Sequence, residues 1–299
     1  MRFRTLFFRR PERTVDAPEP QPVAAPAVTV PVTATPPAER LPVRKTYKLF
    51  IGGEFPRSES GRTYEAEGQN VARASRKDVR DAVRAARAAL PKWAGMTAYN
   101  RGQVLYRLAE MVESRAAEFA ELCTGRAEVE RSIDRIVWYA GWTDKLAQVL
   151  GASNPVAGPY FNFTLPEPTG VVAIVAPAEP PLLGLVSRLA PVLAGGNVAV
   201  AVASEAHPLA AIELAEAIAN SDLPRGAVNV LTGSAEELAP WLAAHVDVNA
   251  LDLPAPDVDL ERAAADSVKR VHHAAADLQS PWEIAAFLEL KTVWHPIGV

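Results

Sequence analysis

The sequence predicts an α/β protein built on a parallel sheet, with a second, smaller antiparallel sheet. Residues 170–233 alternate short Val- and Ala-rich runs with helix-like segments, in the order strand–helix–strand–helix–strand. This order is typical of a parallel sheet whose crossovers are helices. Two further segments, 160–165 and 286–294, alternate apolar and polar residues with period two, as strands with two different faces do.

The individual elements follow from apolar spacing and from turn residues. Before the parallel unit, these patterns predict a hairpin over 49–55, a capped helix beginning at Ser75, and helices over about 100–124 and 129–150. Within the unit they predict strands over 170–177, 198–200 and 228–231, with helices over 182–194 and 208–220.

Bulk composition limits the classes of function. The chain has 299 residues, is 49% hydrophobic and carries a net charge of −4, which gives no reason to expect nucleic acid or a membrane as partner. Its single cysteine, Cys123, excludes an intrachain disulfide and predicts a reducing, cytoplasmic setting. No cluster of Cys and His has metal-ligand spacing, so we expect no metal site.

Composition also divides the chain into four parts. Residues 1–45 hold nine prolines without helical or strand period, and we expect them to form a disordered tail. The second part is a nucleotide-binding-type domain over 46–253, which includes a hairpin near 158–168. The third is a weakly helical connector over 254–279, and the fourth is a terminal strand segment over 280–299.

Three segments carry a resemblance to a known family. They are LAPVLAGGNVAV at 189–200, SEAHPLAA at 204–211 and LPRGAVNVLTG at 223–233. On these residues the chain resembles the aldehyde dehydrogenase superfamily, and in particular the catalytically degenerate second domain of two-domain members, here as a separate chain. The resemblance implies a truncated fold, with a Rossmann-type sheet and a small oligomerisation sheet that contains the terminal strand. The catalytic domain would be missing, with the connector in its place.

The resemblance implies a chemistry whose residues this sequence lacks. Aldehyde dehydrogenases use a cysteine nucleophile in a Gly-Gln-x-Cys motif and a glutamate base in a Glu-Leu-Gly-Gly-Lys motif, and neither motif occurs here. Cys123 lies near the end of a predicted helix, and we interpret it as a small core residue. We therefore expect no catalytic residue in this chain.

The residues expected around a nicotinamide dinucleotide are also replaced. After Pro177, Glu179 occupies the position of the family's oxyanion-binding asparagine, where a carboxylate would repel negative charge. Val202 replaces a ribose-contacting lysine, although Glu205 is retained. No glycine opens the helix expected to face the pyrophosphate, and Asp252 would oppose a phosphate there. We expect a degenerate pocket without a cofactor, and NAD or NADP only in a partner subunit.

These observations predict a non-catalytic subunit that assembles with and stabilises an active NAD(P)-dependent aldehyde dehydrogenase, and that can also self-associate. The residues predicted at the interface are Phe161, Phe163, Leu288, Leu290 and Trp294. Two alternatives stay open. One is an oxidoreductase that converts aldehydes to carboxylic acids with catalytic residues supplied by a partner chain. The other is a docking module that uses the tail over 1–45.

Overall fold

The computed structural model describes residues 45–273 and 279–298. The strands are Thr46–Tyr47 (β1), Thr63–Ala66 (β2), Gln69–Ala72 (β3), Ala152–Ser153 (β4), Tyr160–Pro168 (β5), Val171–Val175 (β6), Val198–Val202 (β7), Val228–Leu231 (β8), Ala250–Leu253 (β9), Arg270–His273 (β10) and Leu288–Pro296 (β11). The helices are Arg76–Ala94 (α1), Ala98–Glu113 (α2), Ala116–Leu122 (α3), Arg126–Ala140 (α4), Leu146–Leu150 (α5), Pro181–Ala194 (α6), Pro208–Ala219 (α7), Ala235–Ala244 (α8), Val258–Ala265 (α9) and Pro281–Ala285 (α10).

The central sheet is parallel throughout and has the strand order β10-β9-β6-β7-β8. Helices α6 and α7 pack on one face, and α1 and α8 pack on the other. The chain runs from β6 through β7 to β8 and then returns across the sheet to β9 and β10. Since crossovers between parallel strands are right-handed, reversing the direction moves the connecting helices to the opposite face. Strands covered on both faces read as continuous apolar runs, and the whole of β7 is buried. The predicted α/β class and its parallel sheet are thus confirmed.

Two predicted helices are each broken in the structure. The segment predicted as one helix over 100–124 forms α2 and α3, and that over 129–150 forms α4 and α5. At the first break Arg115 leaves helical geometry, with φ −117° and ψ 20°. The apolar stripe continues across both breaks, so its spacing could not reveal them. None of the helices in 45–273 and 279–298 is long and apolar enough to cross a membrane.

The interpretation of 254–279 as a connector is wrong. Asp257 caps the regular helix α9, and β10 then extends the parallel sheet beside β9. The strand was missed because it lies at the sheet edge and is only half-buried, so its sequence is polar. Seven residues, 274–280, separate β10 from α10, which is too few for a further domain at this point. The predicted tail over 1–45 lies, apart from Lys45, outside the described residues.

The small sheet has the order β11-β5-β4 and pairs Leu288 with Pro168 through to Pro296 with Tyr160, antiparallel as predicted. Its inner end is tied to the core by Asn197. The Asn197 side chain accepts a hydrogen bond from Gly170 N at 2.8 Å and donates one to Phe287 O at 2.9 Å. This amide therefore links the starts of β6 and β11.

Candidate functional site

A cleft of about 380 Å³ opens at the carboxyl ends of β6 and β9. The chain crosses outward from β6 through α6 and returns through α8 to β9, so this is the point where the strand order reverses. In open α/β sheets, ligands bind at such switch points. Val175 and Leu253 lie at its floor, and the first turns of α8 and α9 form its walls. This is where a dinucleotide would lie.

The charges of the cleft do not fit a dinucleotide. Glu236, Asp257 and Asp259 line it, and no Lys or Arg does so in the described part of the chain. A helix N-terminus normally offers its free N–H groups to a phosphate. In α9 the Asp257 carboxylate already accepts hydrogen bonds from Asp259 N at 3.1 Å and Leu260 N at 3.0 Å. The cleft therefore places negative charge where a pyrophosphate would need donors.

Asp252 does not face this cleft. Its carboxylate is buried and lies 2.7 Å from Arg188 Nη1 and 3.1 Å from His272 Nδ1. Glu283 completes the cluster, 3.6 Å from His272 Nε2, and burial raises the pKa of this glutamate. The expectation that Asp252 opposes a phosphate is wrong, because core ion pairing turns its side chain inward. Asp257 takes that place.

Two of the predicted pocket residues serve packing. Val202 is fully buried between Val175 and Leu231, so its side chain belongs to the sheet core. Pro177 packs against the first turns of α6. A Cβ on Gly184 would lie only 2.6 Å from Pro177 Cγ, so only glycine permits this approach.

The other two predicted pocket residues, Glu179 and Glu205, lie on exposed loops that follow β6 and β7. Glu179 Oε1 lies 2.8 Å from His207 Nε2, and His207 Nδ1 lies 3.3 Å from Glu67 Oε1. Ser204 Oγ joins the two loops by donating to Ala178 O at 3.2 Å. Glu205, the next residue, is exposed. In the described part of the chain, no group of three His, Cys, Asp or Glu residues is arranged to hold a metal ion.

Glu128 is a site residue that sequence reasoning missed. Its buried carboxylate accepts hydrogen bonds from Leu182 N at 2.8 Å and Leu183 N at 3.0 Å, in the first turn of α6. It also accepts from Thr124 N at 2.9 Å and Thr124 Oγ1 at 2.7 Å. Burial opposes the charge, but these donors hold the pKa of Glu128 below its usual range. The α6 N-terminus, beside Glu179, is thus also closed by a carboxylate of the chain itself.

Cys123 is the C-cap residue of α3 and packs against the core. Burial raises the pKa of its thiol to about 12, and the negative charge of Glu128 adds to the effect. The thiolate is the nucleophilic form, so this cysteine is almost wholly unreactive thiol near neutral pH.

The predicted interface residues lie on two faces of the small sheet. Residues directly opposite each other in an antiparallel pair share a face. Leu290, Thr292 and Trp294 lie on the first face, where Thr292 Oγ1 is 2.9 Å from Thr164 Oγ1. The second face carries Phe161 and Phe163, whose ring centroids are 5.6 Å apart.

Leu288 is wrong as an interface residue. It is only 4% exposed and packs into the core of its own chain, beside Ile284 at Gly195. A strand that begins in the core cannot offer its first residue to a partner. The other four predicted residues are exposed or half-buried.

The fold and the cleft define an α/β protein with a Rossmann-type sheet and an acidic cleft at its switch point. Residues 62–283 match the family described as "Aldehyde dehydrogenase family", and the chain belongs to this family. It is 33% identical over 248 residues to the putative aldehyde dehydrogenase DhaS of Bacillus subtilis, covering 76% of this chain and 50% of that protein. It is 35% identical over 233 residues to retinal dehydrogenase 2 of Gallus gallus, covering 71% and 44%.

Solved structures agree with these relatives. An aldehyde dehydrogenase from Bacillus cereus, in a structure described as an NAD+ complex, superposes with a TM-score of 0.71 at 28% identity. The match covers 76% of this chain and 50% of that one. HpcC from Thermus thermophilus gives a TM-score of 0.71 at 31% identity. The chain thus spans about half the length of the relatives it matches.

Proposed function

We propose that the chain is a non-catalytic aldehyde dehydrogenase subunit that assembles with and stabilises a catalytically active, NAD(P)-dependent member of the family. The observation that carries the proposal is the sheet β11-β5-β4. Leu290 is 58% exposed and Trp294 is 56% exposed on its first face, and Phe161 is 48% exposed on its second. Several exposed apolar side chains grouped on one small sheet favour a protein partner.

The edge of the same sheet supports this role. Strand β11 has nine residues and is the outer strand, and no strand of the described chain pairs with its free edge. A long exposed edge strand offers a row of unpaired N–H and C=O groups to another chain. The proposed partner therefore covers the first face and extends the sheet beyond β11, and a second copy of this chain can occupy the same surface.

Three observations support the non-catalytic half of the proposal. Burial raises the pKa of the Cys123 thiol to about 12, Glu179 lies 2.8 Å from His207 Nε2, and the Asp257 carboxylate in the cleft caps α9. The active partner then supplies both the chemistry and the NAD or NADP. On the basis of the lone cysteine, we place this assembly in the cytoplasm.

Assembly is tested by co-purification from the native host followed by mass spectrometry, with Leu290→Asp as the disrupting variant. We expect an aldehyde dehydrogenase to co-purify with the unaltered chain and to be lost with Leu290→Asp, because an ionised carboxylate would be buried at the contact. Val258→Asp is the matched control, since Val258 is an exposed aliphatic residue outside this sheet. Retention of the partner by both variants would contradict the proposed surface.

The alternatives predict different results. Oxidation of aldehydes by a complex, lost when the retained pocket residue Glu205 of this chain is changed, would favour the oxidoreductase whose catalytic residues a partner chain supplies. Loss of the partner on deletion of 1–45, with no effect of Leu290→Asp, would favour the docking module. Calorimetric titration with NAD tests the cleft, and a micromolar dissociation constant would contradict its assignment as degenerate.

A further inference from the structure

A second cavity, of about 560 Å³, lies on the opposite side of α8 from the acidic cleft. Its lining comes from the first two turns of α1 and from the end of α8 with the residues that follow it: Arg76, Lys77, Val79, Arg80, Trp241, Ala244, His245 and Val246. The volume is in the range of sites that hold a small organic ligand. None of the aldehyde dehydrogenase features described above falls in it.

The cavity combines an apolar surface with a cationic rim. Val79 is buried, Trp241 is 40% exposed and Val246 is 78% exposed. Arg76 lies over the Trp241 ring, with its guanidinium carbon 4.4 Å from the ring centroid. An arginine stacked in this way keeps its in-plane N–H donors for a ligand.

The charges in the lining are all positive. Arg80 pairs with Asp81 and Lys77 with Glu59, but both pairs are exposed and contribute little stability, so a ligand can compete for their cations. Arg76 has no acidic partner among the described residues. His245 does not add charge, because burial lowers its pKa and its Nδ1 accepts a hydrogen bond from Asp247 N at 3.2 Å.

Three of the lining cations lie where they destabilise their own helix. Arg76, Lys77 and Arg80 lie in the first two turns of α1, where the helix dipole is positive and disfavours cations. A bound anion would offset this repulsion and accept hydrogen bonds from Arg76.

We propose that this cavity binds an amphipathic organic anion, whose apolar body packs on Trp241 and Val246 and whose carboxylate or similar head group is held by Arg76. This inference does not depend on the proposed assembly role, because the small sheet contributes no residue to the cavity. It adds a small-molecule site to a chain whose dinucleotide cleft is acidic.

The experiment compares two probes of one shape and opposite charge, 2-naphthoate and 2-naphthylmethylamine, by calorimetry and ligand-observed NMR on the full chain. We expect 2-naphthoate to bind with a dissociation constant below about 1 mM, a modest efficiency for a ligand of this size. The amine should bind at least about tenfold more weakly, because its charge repels the rim.

Variants locate the binding. Arg76→Gln should weaken 2-naphthoate about tenfold by removing a charge-assisted hydrogen bond, and Val246→Asp should weaken it similarly by repulsion. Both positions are exposed, so both variants should fold. Arg84→Gln, at an exposed arginine on α1 outside the lining, should leave binding unchanged.

Three outcomes would overturn the assignment. The first is the absence of saturable 2-naphthoate binding with a dissociation constant below about 1 mM, the value that a modest ligand efficiency gives for a probe of this size. The second is equal binding of the acid and the amine, which would indicate apolar adsorption only. The third is binding that survives both Arg76→Gln and Val246→Asp, or that is lost with Arg84→Gln, which would place the probe elsewhere.

Discussion

The two sheets of this chain differ in how far the chain itself covers them. In the parallel sheet, helices lie on both faces, and all five residues of β7 are buried. In the antiparallel sheet, β11 is buried only at Leu288, and most of the following residues to Pro296 are exposed. The first sheet is completed by its own chain. The second has an open edge and exposed apolar faces, which are typical of a surface that binds another chain.

The comparison also separates two uses of charge. Around the parallel sheet, carboxylates of the chain bind its own cations and helix N-termini. Asp252 pairs with Arg188, Glu128 caps α6 and Asp257 caps α9. On the antiparallel sheet, the charged residues pair on the surface, as Lys291 does with Glu167 at 3.1 Å. Substitutions in the first region should therefore change folding, and those in the second should change association.

The largest effect should come from Leu288→Asp, which would place an ionised carboxylate in the core without a partner. We expect a loss of at least about 4 kcal/mol in the free energy of unfolding, or failure to fold. Leu290→Asp, two residues along the same strand, should cost the isolated chain less than about 0.5 kcal/mol. Urea unfolding followed by circular dichroism measures both. Equal losses would mean that the chain covers Leu290 itself.

A smaller but still large effect is expected for Asp252→Ala. Breaking the buried pair with Arg188 should cost about 3–5 kcal/mol, because a desolvated charge loses its carboxylate partner. Asp259→Ala is the control: this carboxylate is exposed, and its pair with Arg262 contributes less than about 1 kcal/mol. Thermal and urea unfolding measure the difference. Similar stability of the two variants would argue against Asp252 as a core residue.

An intermediate effect is expected for Glu128→Gln. The amide NH2 would face the donors of Thr124, so we expect a loss of about 1–2 kcal/mol at pH 7. The folded pKa of Glu128 is lowered, so its contribution is full above the unfolded pKa and is lost as pH falls through the folded pKa. The difference in the free energy of unfolding between the unaltered chain and Glu128→Gln should therefore decrease below the ordinary glutamate pKa of 4.5. Urea unfolding at several pH values measures this difference. A difference that stays the same from pH 7 down to the lowest pH at which both proteins fold would show that Glu128 does not act as an ionised cap.

The smallest effect is expected for Cys123→Ser, which should barely change folding or association. With its pKa raised to about 12, the thiol should react with a disulfide reagent at pH 8 at least about tenfold more slowly than free cysteine. Reaction in urea, where burial is removed, should restore the ordinary rate and serves as the control. A fast reaction of the folded chain would reveal a thiolate and reopen the question of a nucleophile.

The sequence by itself determined the parallel unit and the pairing of the two alternating strands. Buried parallel strands need continuous apolar runs, and Val171–Val175 and Val198–Val202 supply them, each preceded by a glycine turn. Strands with two unlike faces need alternation, which 160–165 and 286–294 show. The replacements at Glu179 and Val202 rest on the resemblance alone and stay predictions.

Only the tertiary structure decided which carboxylates face the cleft and which apolar residues face solvent. Asp252 and Asp257 are five residues apart, and packing against Arg188 turns the first inward while the second caps α9. Glu128 meets its backbone donors 54 residues further along the chain. Leu288 and Leu290 share one alternating face, yet only the first reaches the core. Local spacing determines the type of element and its faces, whereas burial depends on which distant segments pack against it.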